Sequence, residues 1–154
     1  ARFLLGDDII LDFDMLINKA PKTNKETPWH QDAAYWIDMP DKRALSIWFA
    51  SDKATVDNGG WWYTPGSHLL PLRKHSQPVK GGALQCIGTE KESAYAPLNP
   101  GSCVIHHGNT LHYSRGNSTN NNRRAFILDY RPKKMVELER QKGYDHSGQR
   151  KKNK

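Results

Sequence analysis

The sequence predicts a mainly β domain, arranged as a sandwich or a barrel of short strands. Three observations support this fold class. Short runs of branched and aromatic residues recur along the chain, turns rich in glycine, proline and asparagine separate them, and hardly any segment shows helical periodicity. A chain of 154 residues buries roughly 70% of the surface that its unfolded form exposes, which is enough for one core.

The first half of the chain alternates between apolar runs and turn signals. Its first run is rich in branched residues with partial alternation, and it ends shortly before Pro21. The Asp-Asn-Gly-Gly segment at residues 57–60 is a strong turn signal. We therefore predict a strand at 9–17, a polar loop at 21–28, an extended segment at 29–36, a buried strand at 44–50 and an aromatic strand at 61–63.

The second half begins with a long, weakly patterned connection and returns to strands near its end. An Asn-Pro-Gly turn and an Asn/Ser-rich segment separate its apolar runs, and Met135, Val136 and Leu138 follow among charged residues. The predicted order is a connection at 70–96, a turn at 99–101, strands at 102–106, 112–115 and 125–130, a turn at 116–122, and a short terminal helix after Pro132.

Composition argues against a membrane protein and against a disulfide scaffold. Mean hydropathy is −0.82, and no stretch approaches the roughly 20 apolar residues of a membrane span. The two cysteines, Cys86 and Cys103, form neither a disulfide framework nor a CxxC pair. We therefore expect a reducing, cytoplasmic compartment and no membrane partner.

The positive charge is concentrated at the end of the chain. Residues 132–154 have a net charge of +5, out of +7 for the whole chain. We predict a core domain at 1–131 and a basic C-terminal helix and tail at 132–154. A solvated or frayed terminus is the favoured interpretation, so we expect no nucleic-acid partner; a phosphate-binding arm is the alternative. No pattern in the sequence indicates an oligomeric state.

His30-Gln31-Asp32 and the distant His112 suggest a metal site. Two imidazoles and one carboxylate can hold one face of an octahedral Fe(II) ion and leave the opposite face open. Residues i and i+2 of a strand point to the same side, so His30 and Asp32 can converge while Gln31 faces elsewhere. A His-x-Asp triplet also occurs often by chance, so the triplet alone is a weak indication.

The third ligand and a co-substrate residue are open to alternatives. His106 and His107 compete with His112, although adjacent strand residues face opposite sides and at most one of them can join the site. Arg123 suits the far carboxylate of a keto acid, because its planar guanidinium pairs with carboxylates through two hydrogen bonds. Arg123 and Arg124 are alternatively an ordinary exposed pair at a strand edge.

An ordered series of short motifs extends over residues 7–131. Together these motifs resemble the phytanoyl-CoA dioxygenase family of Fe(II)- and 2-oxoglutarate-dependent oxygenases. The motifs are Met15-Leu16-Ile17-Asn18-Lys19-Ala20-Pro21, Trp29-His30-Gln31-Asp32, Trp36, Asn58-Gly59, Pro65-Gly66-Ser67-His68, His107-Gly108, His112-Tyr113-Ser114, Asn117-Ser118 and Arg123-Arg124-Ala125.

The resemblance implies a double-stranded β-helix, a cupin-like jelly roll with little helix. We also expect that the chain lacks an N-terminal helical portion, which in full-length members adds a lysine contact to the co-substrate. The resemblance implies His30, Asp32 and His112 as the ligands of Fe(II), and these three with Arg123 as the catalytic set. It further implies that Arg123 pairs with the C5 carboxylate of 2-oxoglutarate and that this co-substrate also contacts Ser114, Trp48, Met15 and Gln31.

The reaction implied by the resemblance is the hydroxylation of a small molecule by O2. It is coupled to oxidative decarboxylation of 2-oxoglutarate to succinate and CO2, with ascorbate as a supporting reductant. Related halogenases have a small residue at the position of Asp32, so an intact carboxylate favours hydroxylation. Aromatic residues suggest a flat or apolar substrate, but they also suit a sandwich core: Tyr35, Trp36, Trp61, Trp62 and Tyr63. A catalytically silent jelly roll that binds metal and 2-oxoglutarate is the alternative.

Overall fold

The computed structural model describes residues 1–144, which form two four-stranded antiparallel sheets. Two helices lie at the ends of this range, and within it no helix is long and apolar enough to cross a membrane. The elements in chain order are α1 (Arg2–Leu5), β1 (Ile9–Lys19), β2 (Thr27–His30), β3 (Leu45–Ala50), β4 (Trp61–Tyr63), β5 (Ala94–Ala96), β6 (Cys103–His106), β7 (His112–Ser114), β8 (Arg123–Pro132) and α2 (Lys133–Gln141).

The strand order confirms the predicted jelly roll. The larger sheet has the order β1-β8-β3-β6, and the second sheet has the order β2-β7-β4-β5. Each sheet therefore pairs strands that are distant in sequence, as in the ladder between β1 and β8 that runs from Ile9↔Pro132 to Lys19↔Arg123. The same connectivity places β2 beside β7, which brings His30 opposite His112.

Strand ends differ from the predicted ones where long-range pairing extends a ladder. β1 continues to Lys19 and β8 begins at Arg123, because these two residues pair across the strands. β5 was missed inside the weakly patterned connection, since three residues that pair with β4 give too short a pattern to recognise.

Two tryptophans and three alanines form the apolar core. Trp48 and Ala50 belong to β3, Trp61 to β4 and Ala125 to β8, and Ala54 completes the cluster. Both sheets thus contribute to one core, with Trp48 and Trp61 as its largest members. This core is compact, and next to it the space between the sheets remains open as a cavity.

The predicted terminal helix is confirmed as α2, but it is not frayed. Val136 and Glu139, three residues apart and therefore on one helical face, are each 1% exposed. The Glu139 carboxylate accepts hydrogen bonds from Arg131 and from the backbone N–H of Ile37, the latter at 2.8 Å. Arg131 also donates to Asp12 at 2.7 Å. The helix is therefore docked on the larger sheet, while residues 145–154 of the predicted tail lie outside the described part.

Replacing Glu139 by glutamine is expected to destabilise the fold by about 2 kcal/mol, because a buried charge-assisted hydrogen bond to Arg131 is lost. Urea unfolding measures this change. The matched control is Glu137→Gln, whose exposed carboxylate pairs only loosely with Lys133, and it should change stability by less than about 0.5 kcal/mol. Equal effects of the two variants would show that α2 is not docked as described.

Candidate metal and co-substrate site

A cavity of about 490 Å³ opens between the two sheets beside the tryptophan core. The larger sheet forms one wall and the second sheet forms the other. In addition to Arg123, three of the residues predicted to contact 2-oxoglutarate line this cavity: Met15, Trp48 and Ser114. Its other lining residues include Phe13, Ile17, His30, Asp32, Tyr35, Trp36, Ser46, Trp61, His106, His112, Arg123, Ile127 and Asp129.

His30, Asp32 and His112 come together at the cavity wall. Their potential ligand atoms all lie within 4.8 Å of one another. His30 Nε2 is 3.4 Å and His112 Nε2 is 3.7 Å from Asp32 Oδ1. Each imidazole has a backbone partner at Nδ1, the carbonyl of Pro28 at 2.8 Å and that of Thr110 at 2.9 Å. A carbonyl accepts only an N–H, so both Nε2 atoms keep a lone pair for a metal ion.

The local backbone differs from the single strand predicted for His30 and Asp32. β2 ends at His30, and Asp32 begins a short 3-10 helix, Asp32–Tyr35. Gln31 between them is extended, with φ −124° and ψ 129°. One extended residue is enough to bring its two neighbours to the same side, so the i, i+2 argument holds although the strand stops early.

The charge state of the triad suits a divalent cation. Burial lowers the pKa of His112 to about 3, so its imidazole is neutral at pH 7. Burial also acts to lower the pKa of His30, but the contacts with Asp32 outweigh it and raise that pKa, so a metal ion would compete with a proton at His30. Burial alone raises the pKa of Asp32, but the neighbouring His112 and His30 outweigh it and hold that pKa below its ordinary value. Neutral imidazoles and one carboxylate are the donor set that non-haem Fe(II) sites use. The donors of this chain therefore fit the iron that the resemblance implies.

The structure places Gln31 outside the cavity, which corrects its predicted co-substrate contact. Its amide nitrogen donates to the backbone and side-chain oxygens of Asn109, both at 2.9 Å. Its amide oxygen accepts from the backbone N–H of Arg73 at 2.9 Å. Gln31 faces away from its neighbours His30 and Asp32, so its side chain supports the surrounding loops instead.

Of the two competing histidines, only His106 enters the site. It is the last residue of β6, it is buried, and its Nδ1 lies 4.0 Å from Asp32 Oδ2. Its ring contacts those of Trp61 and His112, with centroids 5.0 Å and 4.8 Å apart. His107 follows the strand and accepts a hydrogen bond from the Asn109 backbone. His106 is thus a neighbour of the triad and lies on the opposite sheet from His30 and His112.

Arg123 is a buried cation without a hydrogen-bond partner for two of its nitrogens. The residue is 1% exposed, and neither Nε nor Nη1 has a partner within residues 1–144. Its guanidinium carbon lies 5.1 Å from the ring centroid of Trp48. Burial lowers its pKa to about 10, so it stays charged at pH 7. The alternative of an exposed pair holds only for Arg124, which binds Asp52 at the surface.

An unpaired buried cation is unfavourable unless an anion joins it. The orphaned nitrogens of Arg123 therefore indicate a carboxylate ligand in the cavity, and they fit the far carboxylate of 2-oxoglutarate. Ser114 lines the same cavity and is buried. Trp48 lies against the guanidinium plane and holds its orientation.

Lys19 is a second cation at this end, and no contact with the co-substrate was predicted for it from the sequence. It pairs with Arg123 across β1 and β8. Its ammonium donates to the backbone carbonyls of Lys25, Ser114 and Arg115. Burial and the repulsion of Arg123 lower its pKa to about 8. Its strand register opposite Arg123 becomes visible only once β1 and β8 are aligned.

The five candidate aromatic residues divide between cavity and packing. Tyr35, Trp36 and Trp61 line the cavity. Trp62 points to the other face of its sheet, where it lies against Tyr95 and Arg115. Tyr63 stacks on Trp61 and does not line the cavity. Three of the five aromatic residues therefore line the cavity, fewer than predicted.

Replacing Ser46 by alanine is expected to weaken Fe(II) binding about tenfold. The Ser46 hydroxyl donates to Asp32 Oδ2 at 2.9 Å, and outer hydrogen bonds of this kind orient a metal-binding carboxylate. An anaerobic Fe(II) titration measures the affinity, with the exposed Ser51→Ala as the matched control. An unchanged affinity in Ser46→Ala would mean that Asp32 does not need this contact.

Comparisons with known proteins show the family and the fold of the chain. The family model described as Phytanoyl-CoA dioxygenase (PhyH) matches residues 2–125. A relative from Rattus norvegicus, phytanoyl-CoA dioxygenase domain-containing protein 1, is 30% identical over 122 residues, which cover 74% of this chain and 42% of the relative. The chain thus spans less than half the length of this relative.

Two solved structures share the fold. EvdO2 from Micromonospora carbonacea var. aurantiaca, complexed with 2-oxoglutarate, has a TM-score of 0.77 and 33% identity, covering 84% of this chain and 56% of that one. The epimerase SnoN, in complex with Fe3+, alpha ketoglutarate and nogalamycin RO, has a TM-score of 0.69 and 27% identity, covering 84% and 52%. Both similar proteins were thus solved with the co-substrate, and one of them with iron.

Proposed function

Because the chain belongs to the phytanoyl-CoA dioxygenase family, we propose that it is the core of an Fe(II)- and 2-oxoglutarate-dependent dioxygenase. Its reaction hydroxylates a small molecule and converts 2-oxoglutarate and O2 to succinate and CO2. The observation that supports this proposal most strongly is that one cavity contains both the His-Asp-His triad and the orphaned guanidinium of Arg123. A metal site alone would not need a buried, unpaired arginine.

Each residue has a separate task in the proposed reaction. His30, Asp32 and His112 hold the iron, which supplies the O2 activation that couples decarboxylation to substrate oxidation. Arg123 binds the C5 carboxylate of 2-oxoglutarate, with Ser114 beside it, and so fixes the end remote from the metal. Met15 and Ile127 contribute apolar surface to the cavity wall beside the co-substrate.

Asp32 also favours hydroxylation over halogenation in this proposal. A halide needs a free coordination position, and a carboxylate at this position occupies it. The cavity walls further suggest an apolar or flat substrate, because Tyr35, Trp36 and Phe13 line it. Aromatic walls of this kind are typical of small-molecule sites.

Succinate formation tests the proposal. The chain, loaded anaerobically with Fe(II) and given 2-oxoglutarate, O2 and ascorbate, should release succinate at a rate that disappears when either iron or 2-oxoglutarate is omitted. Tight 2-oxoglutarate binding without any O2 consumption or succinate would refute the dioxygenase proposal. It would favour the silent binding domain.

A further inference from the structure

Asp129 is a carboxylate on the inner face of the larger sheet, close to the triad. Strand register places it directly opposite Ser46, and Ser46 directly opposite His106. Cross-strand neighbours point to the same face of a sheet. Because Ser46 reaches Asp32 and His106 lies beside it, this row of three side chains faces the metal triad.

One oxygen of the Asp129 carboxylate, Oδ1, is buried and lacks a hydrogen-bond partner in the described part of the chain. The Ser46 hydroxyl lies between Asp32 and Asp129 and contacts both, but it donates its single proton to Asp32, at 2.9 Å. Asp12 is the third carboxylate that lines the cavity, and it is paired with Arg131 and Arg140.

The position of Asp129 separates it from the co-substrate end. Its Cα lies six residues after that of Arg123 on β8, a backbone separation of roughly 20 Å at about 3.3 Å per residue. The Arg123 guanidinium spans part of this distance, since it lies against Trp48, whose backbone is opposite Ile127. Arg123 marks the end that binds 2-oxoglutarate, whereas Asp129 lies at the level of the triad with Phe13 opposite it on β1. Asp129 therefore faces the part of the cavity that remains for a substrate.

We propose that Asp129 selects the substrate by accepting a hydrogen bond from a hydroxyl or ammonium group on an otherwise apolar small molecule. The inference rests on the proposed function, because it assigns the space near the triad to a substrate. Polar recognition at one point of an apolar cavity gives strong selectivity, since a substrate without the donor leaves the buried carboxylate unpaired.

Three probes of equal size test the assignment. 2-Phenylethylamine, 2-phenylethanol and propylbenzene share an aromatic body and end in an ammonium, a hydroxyl and a methyl group. Calorimetry measures their binding to the anaerobic protein loaded with Fe(II) and 2-oxoglutarate. At least one polar probe should bind at least tenfold more tightly than propylbenzene. The two polar probes distinguish an amine from an alcohol substrate.

Two variants link the preference to Asp129. Asp129→Leu should reverse the preference in favour of propylbenzene, and the isosteric Asp129→Asn should selectively weaken the ammonium probe by at least tenfold. Equal binding of all probes to the unmodified protein, no binding of either polar probe, or an unchanged preference in Asp129→Leu would overturn the assignment. If the polar probes bind as expected but no succinate forms, the dioxygenase proposal fails while the role of Asp129 stands.

Discussion

Replacing Arg123 by methionine is expected to weaken 2-oxoglutarate binding at least 100-fold while stabilising the ligand-free protein. Removing one partner of a buried, hydrogen-bonded charge pair weakens binding by about 2–5 kcal/mol. In the ligand-free protein the guanidinium is buried with two unpaired nitrogens. Burial depresses its pKa to about 10, so at pH 7 the charged form is retained and its full desolvation cost opposes folding.

Methionine is apolar and similar in length, so Arg123→Met removes this cost. Some packing on Trp48 is lost with the cation. We expect a net gain of roughly 1–3 kcal/mol in unfolding free energy. Urea unfolding measures the stability, and anaerobic calorimetry measures the affinity for 2-oxoglutarate.

The adjacent Arg124 provides the matched control. It is exposed, and its guanidinium pairs with Asp52 at 2.8 Å on the surface. Arg124→Met should leave 2-oxoglutarate binding unchanged and change stability by at most about 1 kcal/mol. If Arg123→Met binds 2-oxoglutarate as tightly as the unmodified chain, the orphaned guanidinium is not the co-substrate site.

Replacing Asp32 by asparagine is expected to reduce Fe(II) affinity by more than roughly 100-fold, beyond the loss seen when only an outer contact of a ligand is removed. The neutral amide loses the charge attraction to the cation. Its oxygen can still accept the Ser46 hydrogen bond, so the fold should be preserved. Anaerobic Fe(II) titration measures the affinity, and succinate release should fall in parallel.

Asp38→Asn is the control for charge alone, because its exposed carboxylate pairs with Lys42 at the surface. It should leave both Fe(II) affinity and succinate release unchanged. An Asp32→Asn protein that binds Fe(II) like the unmodified chain would mean that the three side chains meet without forming a metal site.

The local patterns of the sequence predicted a β sandwich or barrel and most of its strands, and the family resemblance specified the jelly roll. Turn residues mark the strand ends, and alternation marks the buried faces. The convergence of His30 with Asp32 could also be predicted, because it requires only that Gln31 between them is extended. The meeting with His112 depends on the pairing of β2 with β7, and the family motifs indicated this pairing indirectly.

The sequence did not reveal contacts that depend on register between distant strands. Asp129 and Lys19 were missed because only pairing with β3 and β8 places them in or beside the site. Gln31 was assigned to the cavity because it matches a family motif. Its two neighbours point into the cavity, so the side chain of Gln31 points to the opposite side. The docking of α2 was also missed. It depends on the buried ion pair between Glu139 on the helix and Arg131 on β8, and the sequence does not show how a helix packs on a sheet.

In the proposed function, the triad and Arg123 form a single site for iron and 2-oxoglutarate. Anaerobic titration of 2-oxoglutarate into the chain, with and without Fe(II), tests it most directly. We predict that Fe(II) tightens 2-oxoglutarate binding at least tenfold and that 2-oxoglutarate tightens Fe(II) binding by the same factor. Affinity for 2-oxoglutarate that is the same with and without Fe(II) would contradict the claim.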